Sequence, residues 1–132
     1  MRATVLGWVL PLVAITSVAH ADTPPVPASP HAALEQGARL RASGDVKAAI
    51  DALKAGKNAF PDHEQIRQAL ALAYLQDGNE FWALKVLREY EDDHPPACDT
   101  RAFQAWIHIQ HANFDLAKEI LEKAKAKKVK LL

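Results

Sequence analysis

The apolar residues of this chain recur at the spacing of an α-helix from about residue 31 onward. The first clear set is Val46, Ala49, Ile50 and Leu53. These positions are i, i+3, i+4 and i+7, which lie on one face of a helix. A second set has the same spacing and comprises Ile66, Ala69, Leu70 and Ala73. No stretch of this region alternates apolar and polar residues as a strand does, so the pattern predicts an all-α fold.

Short helix-breaking or polar pairs separate the apolar stretches. They are Gly44-Asp45, Pro61-Asp62, Gly78-Asn79, Pro95-Pro96 and Ala112-Asn113. Asp45, Asn79 and Asn113 each stand just before a new apolar stripe, which is where helix N-caps stand. Asp62 followed by Gln65 resembles a capping box and predicts a fourth cap. The pattern predicts six helices, near 30–43, 46–59, 63–77, 80–92, 97–111 and 114–128.

Both the breakers and the apolar positions recur after 34 residues. Gly44 aligns with Gly78, and Pro61 aligns with Pro95. Three columns run through three copies without insertion: Ala49, Ala83 and Ala117; Leu53, Leu87 and Leu121; and Gly37, Ala71 and Ala105. Two helices approach closely only where a side chain is small, so the alanine and glycine columns predict helix crossings. The leucines are expected to fill the space beside them.

A period of 34 residues with helix–turn–helix content is typical of tetratricopeptide repeats, and residues 30–131 resemble that family. The turn pairs match the family's inter-helix turn, Tyr74 its first-helix aromatic residue, and Pro61 and Pro95 its closing proline. The resemblance implies three stacked repeats, at about 30–63, 64–97 and 98–131, which form a short right-handed superhelix.

The third copy departs from the family pattern at four positions. Ala112 replaces the turn glycine and Val129 replaces the closing proline. Gln104 and His108 stand where the family prefers apolar residues. Terminal repeats are often atypical, so these departures are compatible with a third and last repeat.

The family's first helices line a concave groove. Carried over one by one, the groove positions are His31, Leu34, Ala38, Arg41 and Ala42; Gln65, Gln68, Leu72, Leu75 and Gln76; and Asp99, Ala102, Trp106, Ile109 and Gln110. The partner-binding residues expected among them are Leu34, Arg41, Gln68, Leu72, Leu75, Gln76, Trp106, Ile109 and Gln110. Trp106 is the expected anchor, because a large rigid aromatic side chain in a groove can dominate binding. Trp106 also shares a face with Phe103 and Ile107, so a place in the core is the alternative.

A second apolar column lies on the predicted second helices. Its members are Trp82, Val86, Leu116 and Ile120. The family usually keeps that side solvated. The column therefore indicates either a partner contact on the convex side or ordinary packing between repeats.

The N-terminal residues have the pattern of a secretory signal peptide. Met1-Arg2 gives a basic start, residues 3–18 are mostly apolar, and Ala19-His20-Ala21 supplies small residues for cleavage before Asp22. An uncleaved anchor is the alternative, but the run is short for a bilayer and contains Pro11. Residues 22–29 follow as a proline-rich, extended linker.

Neither the net charge nor the motifs of the chain support an enzymatic or nucleic-acid-binding function. Without Arg2, 15 basic residues face 16 acidic ones, a formal charge of −1, so no strong field favours nucleic acid or anionic membranes. The chain has no Gly-rich phosphate loop, no GxSxG elbow and no HExxH or paired-cysteine motif. We therefore expect no catalytic residues, no cofactor and no metal site. Six lysines near the C-terminus either solvate the last helix or bind an acidic partner or anionic lipid: Lys118, Lys123, Lys125, Lys127, Lys128 and Lys130.

These features predict a non-enzymatic protein-interaction module, or scaffold, that is periplasmic or secreted in a bacterium and binds a peptide or partner helix. The alternatives are a structural leader domain of a larger exported or outer-membrane assembly, and an enzyme accessory that presents substrate. Cys98 is the sole cysteine. In an oxidising compartment it would pair with a second molecule or with a longer chain, unless it is simply buried.

Overall fold

The structure, a computed structural model, describes residues 25–95 and 97–130 and, within the last helix, side chains as far as Lys123. The described residues contain six α-helices and no strand: α1 (Pro30–Ala42), α2 (Val46–Ala59), α3 (Glu64–Gln76), α4 (Glu80–Asp93), α5 (Cys98–Gln110) and α6 (Phe114–Lys130). The predicted all-α fold is confirmed for this part of the chain. Every helix end lies within two residues of its predicted position. The predicted signal peptide and residues 22–24 lie outside the described residues.

Polar side chains begin three of the helices, two of them at the predicted caps Asp45 and Asn79. The Oγ of Ser29 accepts a hydrogen bond from the backbone N–H of Ala32 (3.1 Å) at the start of α1. The Oδ1 of Asp45 accepts from the N–H of Ala48 (3.2 Å), and that of Asn79 accepts from the N–H of Trp82 (3.4 Å). Each cap satisfies a backbone donor that has no partner within the helix.

The predicted capping box at Asp62 is wrong. Helix α3 begins at Glu64 after His63, and no side chain caps it. Asp62 is thus one residue too early to serve as the N-cap. Its Oδ1 instead lies 2.8 Å from Nε2 of His94, which ties the start of α3 to the end of α4.

Three-residue turns join α1 to α2, α3 to α4, and α5 to α6. The central residues of these turns have positive φ: 85° at Gly44, 77° at Gly78 and 58° at Ala112. Glycine adopts this left-handed conformation freely, whereas for other residues it costs roughly 1–2 kcal/mol. The alanine in the third turn therefore keeps the glycine conformation under strain.

The helices begin at 34-residue intervals, at 30, 64 and 98 and again at 46, 80 and 114. Each helix packs against the next, and α1 also packs on α3 and α3 on α5. The core runs between these layers and includes Leu53, Leu70 and Leu87, none of which is exposed. Helix α6 packs against α5.

The small-residue column marks close helix contacts, as predicted. A Cβ added to Gly37 would lie 2.6 Å from Cδ2 of Leu53, inside van der Waals contact. Ala71 is fully buried at the equivalent position. The leucine column is only partly confirmed, because Leu121 is 44% exposed while its two equivalents are fully buried. The reason is that α3 packs on α2 and α5 packs on α4, whereas no described helix follows α6.

Candidate functional site

The predicted groove residues lie on α1, α3 and α5, the helices that pack side by side in that order. Leu34, Arg41, Gln68, Leu72 and Leu75 are half-buried. The other four, Gln76, Trp106, Ile109 and Gln110, are exposed. The exposed apolar members are thus concentrated on α5.

Arg41 and Gln76 hold the ends of α1 and α3 together. The Nε of Arg41 donates a hydrogen bond to Oε1 of Gln76 (3.2 Å), and Nε2 of Gln76 donates to the backbone carbonyl of Arg41 (3.4 Å). Both side chains remain at the surface. These two predicted partner-binding residues therefore already satisfy one another, and a partner would have to add to this pair of hydrogen bonds or replace it.

Trp106 is 44% exposed, and Ile109, one helical turn further on, is 43% exposed. The ring of Trp106 lies 5.5 Å from that of Phe103, which packs against the core, while Ile107 is fully buried. Of the two alternatives, Trp106 thus lies outside the core and rests on its edge. Leu75 packs partly against the core, so the apolar surface that remains available is narrower than the predicted strip.

The second apolar column does not behave as one surface. Val86 is buried, whereas Trp82 and Leu116 are 41% and 44% exposed. The ring of Trp82 stacks on Tyr74 at 6.3 Å and meets the edge of Phe81 at 5.5 Å. Packing between helices thus accounts for Val86, and Trp82 is a half-covered surface residue.

An apolar cavity opens at the end of the described fold, between α5 and α6. Its volume is about 570 Å³, and it is lined by Ile109, Phe114, Ala117, Lys118, Leu121 and Glu122. Phe114 is 64% exposed. Single exposed apolar residues are common, but a contiguous set indicates an interaction surface.

The sequence pattern missed a buried polar cluster between α4 and α5. Arg101 is 6% exposed, and its Nε donates to Oε1 of Glu91 (2.6 Å) while its second guanidinium nitrogen contacts the same carboxylate. The Nε2 of Gln104 donates to the other oxygen of Glu91 (3.0 Å). Gln104 was noted only as a departure from the apolar pattern. Gln104 at a core position, with Arg101 one helical turn before it, could have indicated that a buried hydrogen-bond partner lies nearby.

A second contact ties α3 to α5. The Oε1 of Glu64 accepts hydrogen bonds from the backbone N–H of Thr100 (3.1 Å) and from its Oγ1 (2.7 Å). Thr100 is fully buried. Because Glu64 thereby caps the first turn of α5, the first helices of neighbouring pairs are held in a fixed register.

The titratable groups of the third helix pair do not converge on a site. His108 is buried, and burial lowers the pKa of its ring, an effect that the nearby Glu80 carboxylate opposes. Cys98 is exposed at the start of α5, which removes the alternative that it is simply buried. Among the residues that the structure describes, no three potential metal ligands come together.

Neither the models of known protein families nor the curated proteins include a match to this chain. None of the helices in the described part of the chain combines the length and the apolar character needed to cross a membrane.

Proposed function

We propose that this chain is a non-enzymatic protein-interaction module of the bacterial cell envelope. In this proposal its three helix pairs are tetratricopeptide-like repeats in a short right-handed superhelix. The first helices then form a groove that holds a peptide or a partner helix. The 34-residue interval between helix starts supports the repeat assignment. Export rests on the basic, apolar and small-residue pattern of residues 1–21.

The observation that carries the proposal is the exposure of Trp106 and Ile109 on one face of α5. Trp106 is held against Phe103, so its ring loses little conformational freedom when a partner covers it. Half-buried Leu72 lies on α3, the neighbouring first helix. Partners that lay an apolar helix face or a hydrophobic side chain into such a surface fit this chemistry.

Capture of partners from an envelope extract tests the groove. The chain and its Trp106→Ala variant are compared as baits, with Phe81→Ala as the matched control because Phe81 is an exposed aromatic residue on α4 (66%). We expect a discrete partner that is lost with Trp106→Ala and kept with Phe81→Ala. Equal capture by all three baits, or no discrete partner, would exclude the groove of α5 as the binding surface.

The apolar end of the fold favours a second candidate, a structural leader domain of a larger exported assembly. Phe114, Leu121 and Ile109 leave an open apolar cavity there, and Cys98 is exposed near the start of α5. Light scattering with and without reductant separates the candidates. An oligomer that Phe114→Glu dissociates supports assembly through this end, whereas a monomer under both conditions argues for the groove.

A further inference from the structure

A charged cleft lies between α2 and α4, away from the proposed groove. The space between the two helices has a volume of about 370 Å³. The lining residues are Lys54, Lys57, Tyr74, Asn79, Trp82, Lys85, Val86 and Glu89. Trp82 and Val86 form an apolar wall. The ammonium group of Lys85 lies 4.5 Å from the centre of the Trp82 ring, so cation and indole border the cleft together.

Basic groups outnumber acidic ones in and behind this cleft. Lys54, Lys57 and Lys85 line it, and the buried Arg67 acts on Lys57 from α3. Glu89 is the single carboxylate of the lining, and it lies 3.9 Å from both Lys85 Nζ and Arg67. Three lysines and one arginine thus lie near one half-exposed carboxylate. The four positive charges repel one another, and a bound anion would reduce this repulsion.

The state of Lys57 and Arg67 agrees with this excess. Burial lowers the pKa of Lys57, and the charge of Arg67 lowers it further. Arg67 is only 7% exposed. One of its terminal nitrogens donates to the carbonyl of Pro61 (3.4 Å) and the other lies 3.9 Å from Glu89, whereas its Nε is buried without a hydrogen-bond partner. A buried guanidinium nitrogen without a partner costs free energy, so Arg67 is only partly satisfied.

The chain itself shows what satisfies such an arginine. Thirty-four residues after Lys57 and Arg67 stand Glu91 and Arg101, at the same places in α4 and α5. There the carboxylate of Glu91 binds both the Nε of Arg101 and, through its other oxygen, Gln104. An equivalent cleft lies between α4 and α6, where Glu91, Arg101 and Ile120 are part of its lining. Its positive charge is therefore partly neutralised from within. Between α2 and α4 a lysine occupies the position of that carboxylate.

We propose that the cleft between α2 and α4 binds a ligand that carries a carboxylate next to an apolar group. The carboxylate meets Lys57 and Lys85, which line the cleft, in the positive field of the buried Arg67 behind it, and the apolar group lies against Trp82 and Val86. The geometry fits a small organic acid or the end of an acidic side chain, since both present the same chemistry. This site is separate from the groove of α5 and does not depend on the proposed function.

Titration of the full chain with 3-phenylpropionate tests the site, with the neutral 3-phenylpropionamide as the probe of matched shape. The readout is the nitrogen–proton NMR signal of the Trp82 indole, assigned through its absence in Trp82→Phe. We expect a saturable shift with the acid, with a Kd of about 1 mM, and binding at least about tenfold weaker with the amide. A peptide with a glutamate next to leucine, compared with its glutamine form, tells whether a side-chain carboxylate also enters. Equal shifts with acid and amide, or no saturable shift with the acid, would overturn the proposal.

Lys57→Glu places a carboxylate in this cleft at the position that Glu91 has in the cleft between α4 and α6. We expect this variant to lose about tenfold or more in affinity for the acid and to unfold at higher urea concentration, because Arg67 gains an acceptor. Lys47→Glu makes the same charge change at an exposed position of α2 outside the lining and should bind as the parent does. Equal loss in both variants would mean unspecific attraction and would overturn the site. Lys85→Gln is the second variant, for use if Lys57→Glu does not fold, because Lys85 lies half-exposed at the rim of the cleft. We expect Lys85→Gln to bind the acid more weakly than the parent does. Unchanged affinity in Lys85→Gln would count against the proposal.

Discussion

Replacing Glu91 with glutamine removes one charge from the polar cluster and keeps its shape. In the parent chain Glu91 accepts hydrogen bonds from Arg101 Nε at 2.6 Å and from Gln104 Nε2 at 3.0 Å. The side chain of Arg101 is 8% exposed and that of Glu91 is 20% exposed. The variant therefore leaves a nearly buried guanidinium facing an uncharged amide.

The expected loss of stability follows from this burial. Removing one partner of a fully buried ion pair costs roughly 3–5 kcal/mol. Solvent reaches part of Glu91, and the glutamine oxygen still accepts one hydrogen bond, so we expect a loss of about 2–3 kcal/mol. A domain of this size has a total free energy of unfolding of roughly 5–15 kcal/mol, so the loss is a large fraction of it.

Urea unfolding of the full chain, followed by circular dichroism at neutral pH, measures the effect. Glu122→Gln is the matched control, because Glu122 is 66% exposed and its one ion-pair contact, to the 74% exposed Lys118, is 4.0 Å long. An exposed pair of this kind contributes about 1 kcal/mol or less. If Glu91→Gln costs no more than Glu122→Gln, the Arg101 pair is solvated and the reasoning about buried charge is refuted.

Three further changes have expected outcomes in the same urea assay. Gly37→Ala should destabilise by about 1–2 kcal/mol, because the new Cβ meets the buried Leu53 at 2.6 Å and this clash exceeds the gain in helix propensity; an equal or higher midpoint would contradict the tight crossing. Ala112→Gly should stabilise by about 0.5–1 kcal/mol, since it relieves a φ of 58°; a lower midpoint would show that the turn is not strained. His108→Leu should make the free energy of unfolding less dependent on pH. Burial lowers the pKa of His108 in the folded chain, so below about pH 6.5 the unfolded chain binds the proton more readily than the folded chain does. The parent therefore loses stability as the pH falls, and the variant lacks this contribution. Parallel curves for parent and variant between neutral and acidic pH would contradict this.

Helix positions were predictable because each depends on residues that are adjacent in sequence. Ser29, Asp45 and Asn79 cap the helices that follow them, since a cap needs only its own side chain and the next turn. The start of α3 was not predictable in this way. Asp62 has the right residue type, but His94, thirty-two positions later, takes its carboxylate. A tertiary contact thus prevailed over a local motif.

The surroundings of single side chains could not be read from periodicity. Phe103, Trp106 and Ile107 share the spacing of one face, yet Ile107 is fully buried and Trp106 is 44% exposed. Burial depends on which neighbouring helix covers each side of α5, and the 3.6-residue period does not contain that information. Leu121 illustrates the same limit, because its place in the leucine column says nothing about whether another helix covers it.

The two clefts show how a repeated backbone can carry different chemistry. The helix starts recur every 34 residues, so Arg67 and Arg101 enter equivalent places and each brings a positive charge beneath the helices that follow. Arg101 and Glu91 neutralise each other within the chain, and their contact helps to hold α5 on α4. Arg67 instead has a longer contact with Glu89 (3.9 Å) and a hydrogen bond to the Pro61 carbonyl (3.4 Å), and the charge of Lys57 repels it. We expect Lys57→Glu to stabilise the fold, because the equivalent position in α4 is Glu91, which pairs with Arg101. The lysine at position 57 therefore lowers the stability of the chain. Positions of that kind are typical of binding sites, where a group left unsatisfied in the free protein is satisfied by the ligand.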